Sequence, residues 1–354
     1  MPFIHQAWYC AAWDHEISRK PIARHILGTP VLLFRKEDGQ AVAMGDRCPH
    51  RFAPLSAGEV VGDQIRCAYH GLVFDSTGAC VHNPHGDGMI PPMARVPSFP
   101  LVERQHALWI WMGDPAQADP DQIVDLELIG AADHPFLSGY IRMDVHYMLV
   151  TDNLLDLTHA PYLHGADIAP QTTSREAKFD TGENWVASTY LSRAAPTPGL
   201  QRPFFDADVG DHHTRMRWTA PGTLRQFLAM TDVGHAPEEG AVSTNVHLLT
   251  PETENSTHYF WGTARNRRVG DVAIDERIRA MVHKAFVTED EPMVAACRDY
   301  MGQNDLMALR PVVLQTDVAA IRARRIVERL FKHENAARAV PPTDPSFSET
   351  RHHE

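Results

Sequence analysis

Residues 48–75 read CPHRFAPLSAGEVVGDQIRCAYHGLVFD, and two short motifs frame the stretch: Cys48-Pro-His50 and Cys67-Ala-Tyr-His70, with 16 residues between His50 and Cys67. Each motif lies beside a turn signal. The flanking runs PVLLF (30–34), AVAMG (41–45), GLVFDSTG (71–78) and ALWIWMG (107–113) are short, apolar and β-prone, with no helical period. Two hairpin tips, each carrying one thiol and one imidazole, can clasp one metal centre. The residue types alone also suit a structural Cys2His2 zinc, which takes four tetrahedral N/S ligands. Cys10, Cys80 and Cys297 have no partner at ligand spacing and read as small buried hydrophobes or inert thiols. Cys80-Val-His82-Asn-Pro-His85 reads as surface polar chemistry on a Pro/Gly loop.

The rest of the chain bounds what such a centre can serve. At 354 residues it exceeds what one core usually organises, and 44% apolar residues suffice for two. A formal charge of −12, from 33 basic and 45 acidic side chains, argues against nucleic acid or anionic lipid as a partner. The N-terminal MPFIHQAWYCAAWDHEI has no basic leader region, and no run approaches the roughly 18 apolar residues of a membrane span. A soluble, unexported, cytoplasmic protein without disulfides is expected.

DPAQADPDQ (114–122) is rich in Pro and Asp and marks the domain connection. The expected division is 1–115, mostly β; 123–340, α+β; and a tail, PPTDPSFSETRHHE (341–354), without apolar period. In the second domain GYIRMDVHYM (139–148), RQFLAMTDV (225–233), STNVHLLT (243–250) and THYFWGTA (257–264) predict a sizeable antiparallel sheet. Helices are predicted over about 272–300 and 316–331, the latter with Ala319, Ala323, Ile326, Leu330 and Phe331 on one stripe.

A second constellation lies in LVTDNLLDLTHAPYLHG (149–165), where Asp152, Asn153, Asp156, His159 and His164 crowd an apolar segment. If the segment starts helical, His159 falls on the side of Asp156, and Pro161 breaks the ladder before His164, so that a bend aims both imidazoles at one point. A lone histidine in such surroundings is usually a hydrogen-bonded core residue. Two histidines plus one carboxylate, however, are what an Fe(II) oxygenase needs to leave positions open for O2.

CPHRFAPLSAG and CAYHGLVFD resemble the two binding loops of Rieske proteins, and D-N-x-x-D-x-x-H-x-x-x-x-H at 152–164 is similar to the iron segment of Rieske non-haem iron oxygenase α-subunits. The resemblance spans about residues 5–335 and is nearest to the oxidative dealkylases that include vanillate O-demethylase, dicamba O-demethylase and toluenesulfonate methyl-monooxygenase. It implies an all-β domain whose 2Fe-2S cluster is held by Cys48 and Cys67 on one iron and His50 and His70 on the other. It also implies a mononuclear Fe(II) on His159, His164 and a later aspartate. Glu289, Asp290 and Glu291 are on offer; Asp290 directly follows an acid, as in the family pattern, and the other two read as a solvated acidic turn. Pro292 is expected to kink the helix beside it.

Asn153 and Asp156 are implied in catalysis, Asp156 by bridging to a neighbouring subunit's cluster in a ring, most simply a homotrimer. A reductase, with or without a ferredoxin, would bring electrons from NADH. In the dicamba branch an Asn, a His and a Trp bind the substrate carboxylate. Here His247 matches, while Gln226 and Met281 stand at the other two positions, so a softer pocket and a different aromatic substrate are expected. His247 could equally be a strand histidine facing solvent. The implied reaction is O-demethylation of an aromatic compound, with N-dealkylation of an anilide or ring dihydroxylation as alternatives. The purified protein should contain about three irons per chain, because one cluster and one mononuclear site are implied. Cys67→Ala should abolish the visible bands that dithionite bleaches, and metal analysis finding chiefly zinc would contradict the assignment.

Overall fold

The computed structural model describes residues 3–130, 135–169 and 175–339. The expected tail at 341–354 lies outside them. The N-terminal part consists of short strands: β1 (Trp8–Trp13), β2 (Ile22–Ile26), β3 (Thr29–Arg35), β4 (Ala41–Gly45), β5 (Glu59–Val61), β6 (Gln64–Arg66), β7 (Val73–Phe74), β8 (Cys80–His82), β9 (Leu101–Arg104) and β10 (Ala107–Trp111). They form antiparallel sheets ordered β1-β10-β9, β2-β3-β4 and β5-β6-β7-β8. Strands this short fit the closely spaced turn signals of the sequence. The stretch at 114–122 forms two 3-10 turns, each started by an aspartate, Asp114 or Asp119, whose side chain caps a backbone N–H two residues on.

The larger part is built on β11 (Phe136–Met143), β12 (Glu176–Thr181), β13 (Trp185–Pro196), β14 (Val209–Thr219), β15 (Thr223–Thr231), β16 (Ala241–Thr253) and β17 (Ser256–Arg265). Their order is β11-β17-β16-β15-β14-β13-β12, an antiparallel meander with β11 added at the edge of the last strand. Around it lie α1 (Tyr147–Leu155), α2 (Ala160–Leu163), α3 (Val272–His283), α4 (Glu291–Met301) and α5 (Val318–Ala339).

Two expectations change. The run 139–148 is not one strand: β11 stops at Met143 and α1 starts at Tyr147, because His146 Nδ1 accepts the Met148 N–H at 3.2 Å and caps the helix. Nor are Asp156 and His159 on one helix. α1 ends at Leu155, Asp156 is its C-cap, and Pro161 sits in the first turn of α2, where its missing N–H costs nothing, rather than breaking a helix.

Two cores explain why the parts hold together. Trp8, Trp13, Trp109 and Trp111 of β1 and β10 pack against Val246, Leu248, Phe260 and Ala264 of β16 and β17. Each indole removes about 150–250 Å² from water, at most roughly 4–6 kcal/mol at ~25 cal/mol/Å². Behind the sheet, α5 turns Ala319, Ala323, Ile326 and Val327 onto α1. There Arg324, 2% exposed, donates from Nε to Asp152 at 3.1 and 3.0 Å. Arg324→Met leaves that carboxylate without its cation and is expected to cost about 3–5 kcal/mol. Denaturant unfolding followed by tryptophan fluorescence should show the loss; an unchanged midpoint would make the pair dispensable.

Candidate functional site

The two Cys/His loops are built alike. The Cys48 N–H donates to the Ala53 carbonyl at 2.9 Å and the Cys48 carbonyl accepts from Phe52 N–H at 2.9 Å. In the second loop Cys67 N–H reaches the Leu72 carbonyl at 2.8 Å and the Cys67 carbonyl accepts from Gly71 N–H at 3.0 Å. The fourth residue after each cysteine is left-handed: Gly71 at φ 73° without strain, and Phe52 at φ 59°, where a side chain is unfavourable. Each loop thereby folds back on its cysteine. Cys48 and Cys67 end 2% exposed on a core of Leu32, Phe34, Leu55 and Phe74, while the His50 and His70 rings stand 4.5 Å apart near the surface.

Buried thiols paired beneath outward imidazoles suit a centre bound by sulfur on its inner side and nitrogen on its outer side. Asp46 accepts Ser56 N–H and Oγ–H, both at 2.6 Å, and closes the base of the first loop. A Cβ on Gly58 would meet the Arg66 carbonyl at 2.0 Å, which accounts for the glycine ending CPHRFAPLSAG. His85, read from the sequence as surface chemistry, hydrogen-bonds the His70 carbonyl at 2.8 Å and so supports the second loop.

The second constellation converges on Asp290, 1% exposed. Its Oδ1 lies 3.5 Å from His159 Nε2 and 3.4 Å from His164 Nε2, and it accepts from Asn153 Nδ2 at 3.0 Å. Among the described residues, these two imidazoles and this carboxylate present donor atoms within 4.8 Å of one another. The other ring nitrogens are occupied: His159 Nδ1 donates to the Asp156 carbonyl at 2.5 Å, and His164 Nδ1 to Glu289 Oε2 at 2.8 Å. Both Nε2 lone pairs are therefore free for a metal, the usual arrangement of an imidazole ligand. Burial lowers the affinity of His164 for a proton, but the Asp290 and Glu289 carboxylates outweigh it and raise its pKa.

The acidic triplet is not a solvated turn. A π-helical turn, Lys284–Asp290, joins α3 to α4, with Glu291 N–H bonded to the Phe286 carbonyl five residues back. Pro292 follows at once; it has no N–H for Thr288, and the wider turn absorbs that gap. The extra residue turns Asp290 inward, leaves Glu289 on His164, and lets Glu291 accept the Asp144 N–H at 3.0 Å. The role of Glu289 was missed because a sequence carries no sign of a one-residue shift in helical phase.

Beside the triad lies a cavity of about 190 Å³ roofed by alternate residues of the sheet: Thr214 and Met216, Gln226 and Leu228, Asn245 and His247. Period-two alternation on paired strands puts them on one face, with Met216 opposite Gln226 and Gln226 opposite Asn245. Met281 of α3 closes the other side, so all three expected pocket residues line this cavity. Asn245 Nδ2 donates to Gln226 Oε1 at 2.9 Å. His247 does not face solvent: it is 5% exposed, burial holds its pKa at about 4, and Nδ1 meets the Tyr259 hydroxyl at 2.6 Å. Asp156 binds Thr158 N–H at 3.0 Å and Oγ–H at 2.6 Å through Oδ1.

Glu289→Gln removes the charge that holds His164; with the iron on His159, His164 and Asp290, as the resemblance implies, it should weaken mononuclear iron binding about 10- to 100-fold while leaving the visible spectrum of a cluster at the cysteine loops intact. Iron competition against a chelator measures it; unchanged affinity would remove Glu289 from the site.

Residues 7–100 match the Rieske [2Fe-2S] domain, and residues 143–333 match the vanillate O-demethylase oxygenase C-terminal domain. The oxygenase component of dicamba O-demethylase from Stenotrophomonas maltophilia is 39% identical over 340 residues, 95% of this chain and 100% of that protein. The oxygenase component of chloroacetanilide N-alkylformylase from Rhizorhabdus wittichii is 38% identical over 354 residues, 96% of this chain and 98% of the other. A crystal structure of dicamba monooxygenase with non-haem iron and dicamba is similar with a TM-score of 0.83 at 38% identity, covering 95% of this chain and 100% of that one.

Proposed function

Because the chain belongs to the vanillate O-demethylase group of Rieske oxygenases and is the oxygenase component of a Rieske non-haem iron monooxygenase, we propose that it removes an alkyl group, most simply an O-methyl, from a substituted aromatic compound. The observation that carries this reading is an arene-sized cavity, about 190 Å³, bordered by His159, His164 and Asp290 and lined by Met281, Leu228 and a few polar groups. N-dealkylation is the second reading, favoured by the anilide relative that is 38% identical over nearly the whole chain.

In this proposal Cys48, His50, Cys67 and His70 hold the cluster, and His159, His164 and Asp290 hold the mononuclear iron. When bound, the cluster supplies electrons from NADH by way of a reductase, and the iron couples them to O2 for oxidation of a C–H bond. Asp290 contributes negative charge to a 2+ ion, and Asn153 keeps that carboxylate turned inward with its 3.0 Å hydrogen bond. Glu289 and the Asp156 carbonyl fix the two ring orientations.

The sheet residues position the substrate. His247 Nδ1 and the Tyr259 hydroxyl share one hydrogen bond, while His247 Nε2 has no partner among the described residues; in the tautomer in which Tyr259 donates, Nε2–H can donate to a substrate oxygen. Gln226 and Asn245 add amide groups nearby, and the apolar lining keeps water away from the reacting methyl. Hydroxylation of an O-methyl group gives a hemiacetal that collapses to a phenol and formaldehyde. One O2 and one NADH are consumed, with the second oxygen atom leaving as water.

Both centres open towards surfaces. Phe52 is 65% and Tyr69 64% exposed at the cluster loops, and Tyr162 is 88% exposed on α2 between the two iron histidines. We read these as faces of one head-to-tail interface that closes as a homotrimer, in which Asp156 would bridge His70 of the partner subunit to His159 and so connect the two metal sites.

With a surrogate reductase, methoxybenzoates, methoxyphenols and N-alkyl anilides should give dealkylated product and an equimolar aldehyde. Cis-dihydrodiols without aldehyde would contradict the proposal. His247→Ala should raise KM roughly tenfold, and an unchanged KM would take it out of the pocket. Asp156→Asn should keep both metals and the trimer yet lose turnover; full activity would end the relay, and a monomer in sedimentation would count equally against it.

A further inference from the structure

Opposite the polar group formed by His247, Gln226 and Asn245, the cavity wall contains a second one. Of the charged described residues lining the cavity, Asp290 belongs to the iron triad, Arg265 is paired with Asp275 at 2.5 Å, and Arg267 lies exposed at the rim. Arg175 is the exception. It is partly buried, and among the described residues its guanidinium donates one hydrogen bond, to the Leu157 carbonyl at 3.3 Å, and has no carboxylate within ion-pair distance. Its sequence neighbours do not supply one: residues 170–174 are PQTTS, and Glu176 is taken by Arg193 at 2.8 Å.

Two further groups lining the cavity on this side are buried with unused polar atoms. The Tyr190 hydroxyl, on a side chain 3% exposed, has no partner among the described residues; neither does His212 Nε2, on a side chain 7% exposed. The Arg175 guanidinium lies 5.4 Å from the centroid of the Tyr190 ring, which Phe179 holds edge-on at 6.2 Å. A buried hydroxyl and a buried imidazole nitrogen left unpaired are destabilising unless something binds them. Burial, with the Arg175 charge adding to it, pushes His212 down to about 3, so it meets a ligand as a neutral imidazole, while burial pushes Tyr190 up to about 12 and keeps its proton available.

We propose that Arg175, Tyr190 and His212 form an anion subsite, and that the substrate places a carboxylate or sulfonate there while its opposite end meets Gln226 and His247. A guanidinium fork beside a phenol hydroxyl matches a planar or tetrahedral oxyanion with donors on two sides, and the edge of the His212 ring borders the same space. The spacing also fits. His212 is four residues along β14 from Met216, which pairs with Gln226, about 13 Å at 3.3 Å per residue. A benzene ring with a headgroup at one end and an ether at the other bridges that span. The inference rests on the aromatic dealkylase reading and adds the charge of its substrate.

Binding is measured by calorimetry on the iron-loaded protein without reductase, so that no turnover intervenes. The probes are 4-methoxybenzoate and 4-methoxybenzenesulfonate, with uncharged 4-methoxybenzamide as their counterpart. The parent should prefer the two anions. Arg175→Gln should weaken them about 10- to 100-fold and leave the amide within about twofold; Arg175→Lys should restore part of the loss, and Tyr190→Phe should weaken the anions by a smaller factor. Equal binding of anions and amide by the parent overturns the subsite and leaves the dealkylase reading standing. So does an anion preference that survives Arg175→Gln but disappears in His247→Ala. Parallel loss of all three ligands in Arg175→Gln assigns the arginine a structural role instead, and failure of the parent to bind any of them contradicts the aromatic reading itself.

Discussion

A carboxylate 1% exposed in the interior of the larger domain, that of Asp290, sets the terms for everything around it. A buried anion is tolerated only where donors or cations meet it; here the Asn153 amide of α1 donates to it, and the Nε2 atoms of His159, from the break after α1, and His164, from the end of α2, face it across a gap that a cation can fill. Those three come from one stretch of 12 residues, so the course of that stretch is fixed by the acid it faces. The acid is presented by a π-turn, seven residues long, that a proline terminates. α1 is in turn held from behind by the Arg324–Asp152 pair, one residue before Asn153. Packing, helical phase and ligand geometry are thus one problem with one solution.

The N-terminal domain solves a different problem with a simpler device. Its two cysteine loops repeat one hydrogen-bonding plan, i to i+5 out and i+4 to i back, so that both thiols point into the same apolar base. Plan and spacing are local, which is why a sequence can reveal them. The four tryptophans of β1 and β10 then bind this domain onto β16 and β17, the strands that also roof the cavity. Loop, interface and cavity share one continuous backbone framework.

What the sequence made legible follows that division. Cys48, His50, Cys67 and His70 stood out because motif spacing survives any tertiary arrangement. The strands carrying Gln226 and His247 were recognisable from β-prone runs, and their period of two put both side chains on the cavity face. The long helical region 272–300 was recognisable too, but not its interior: a π-turn shifts phase by one residue, and only in three dimensions do Glu289, Asp290 and Glu291 acquire three different partners. The break between Asp156 and His159 was placed too late because proline was read as a helix breaker when it is a helix starter. Arg175, Tyr190 and His212 left no motif, since they meet from β14, from its neighbour β13 and from the approach to β12.

Two different iron centres in these two sites are distinguishable by iron-edge anomalous diffraction from crystals of the metal-loaded protein. The expected result is a pair of closely spaced iron peaks between Cys48, His50, Cys67 and His70, and one separate peak within bonding distance of His159, His164 and Asp290. Anomalous signal at the zinc edge instead, a single peak at the cysteine loops, or a mononuclear iron bound through Glu289 rather than Asp290 would contradict it.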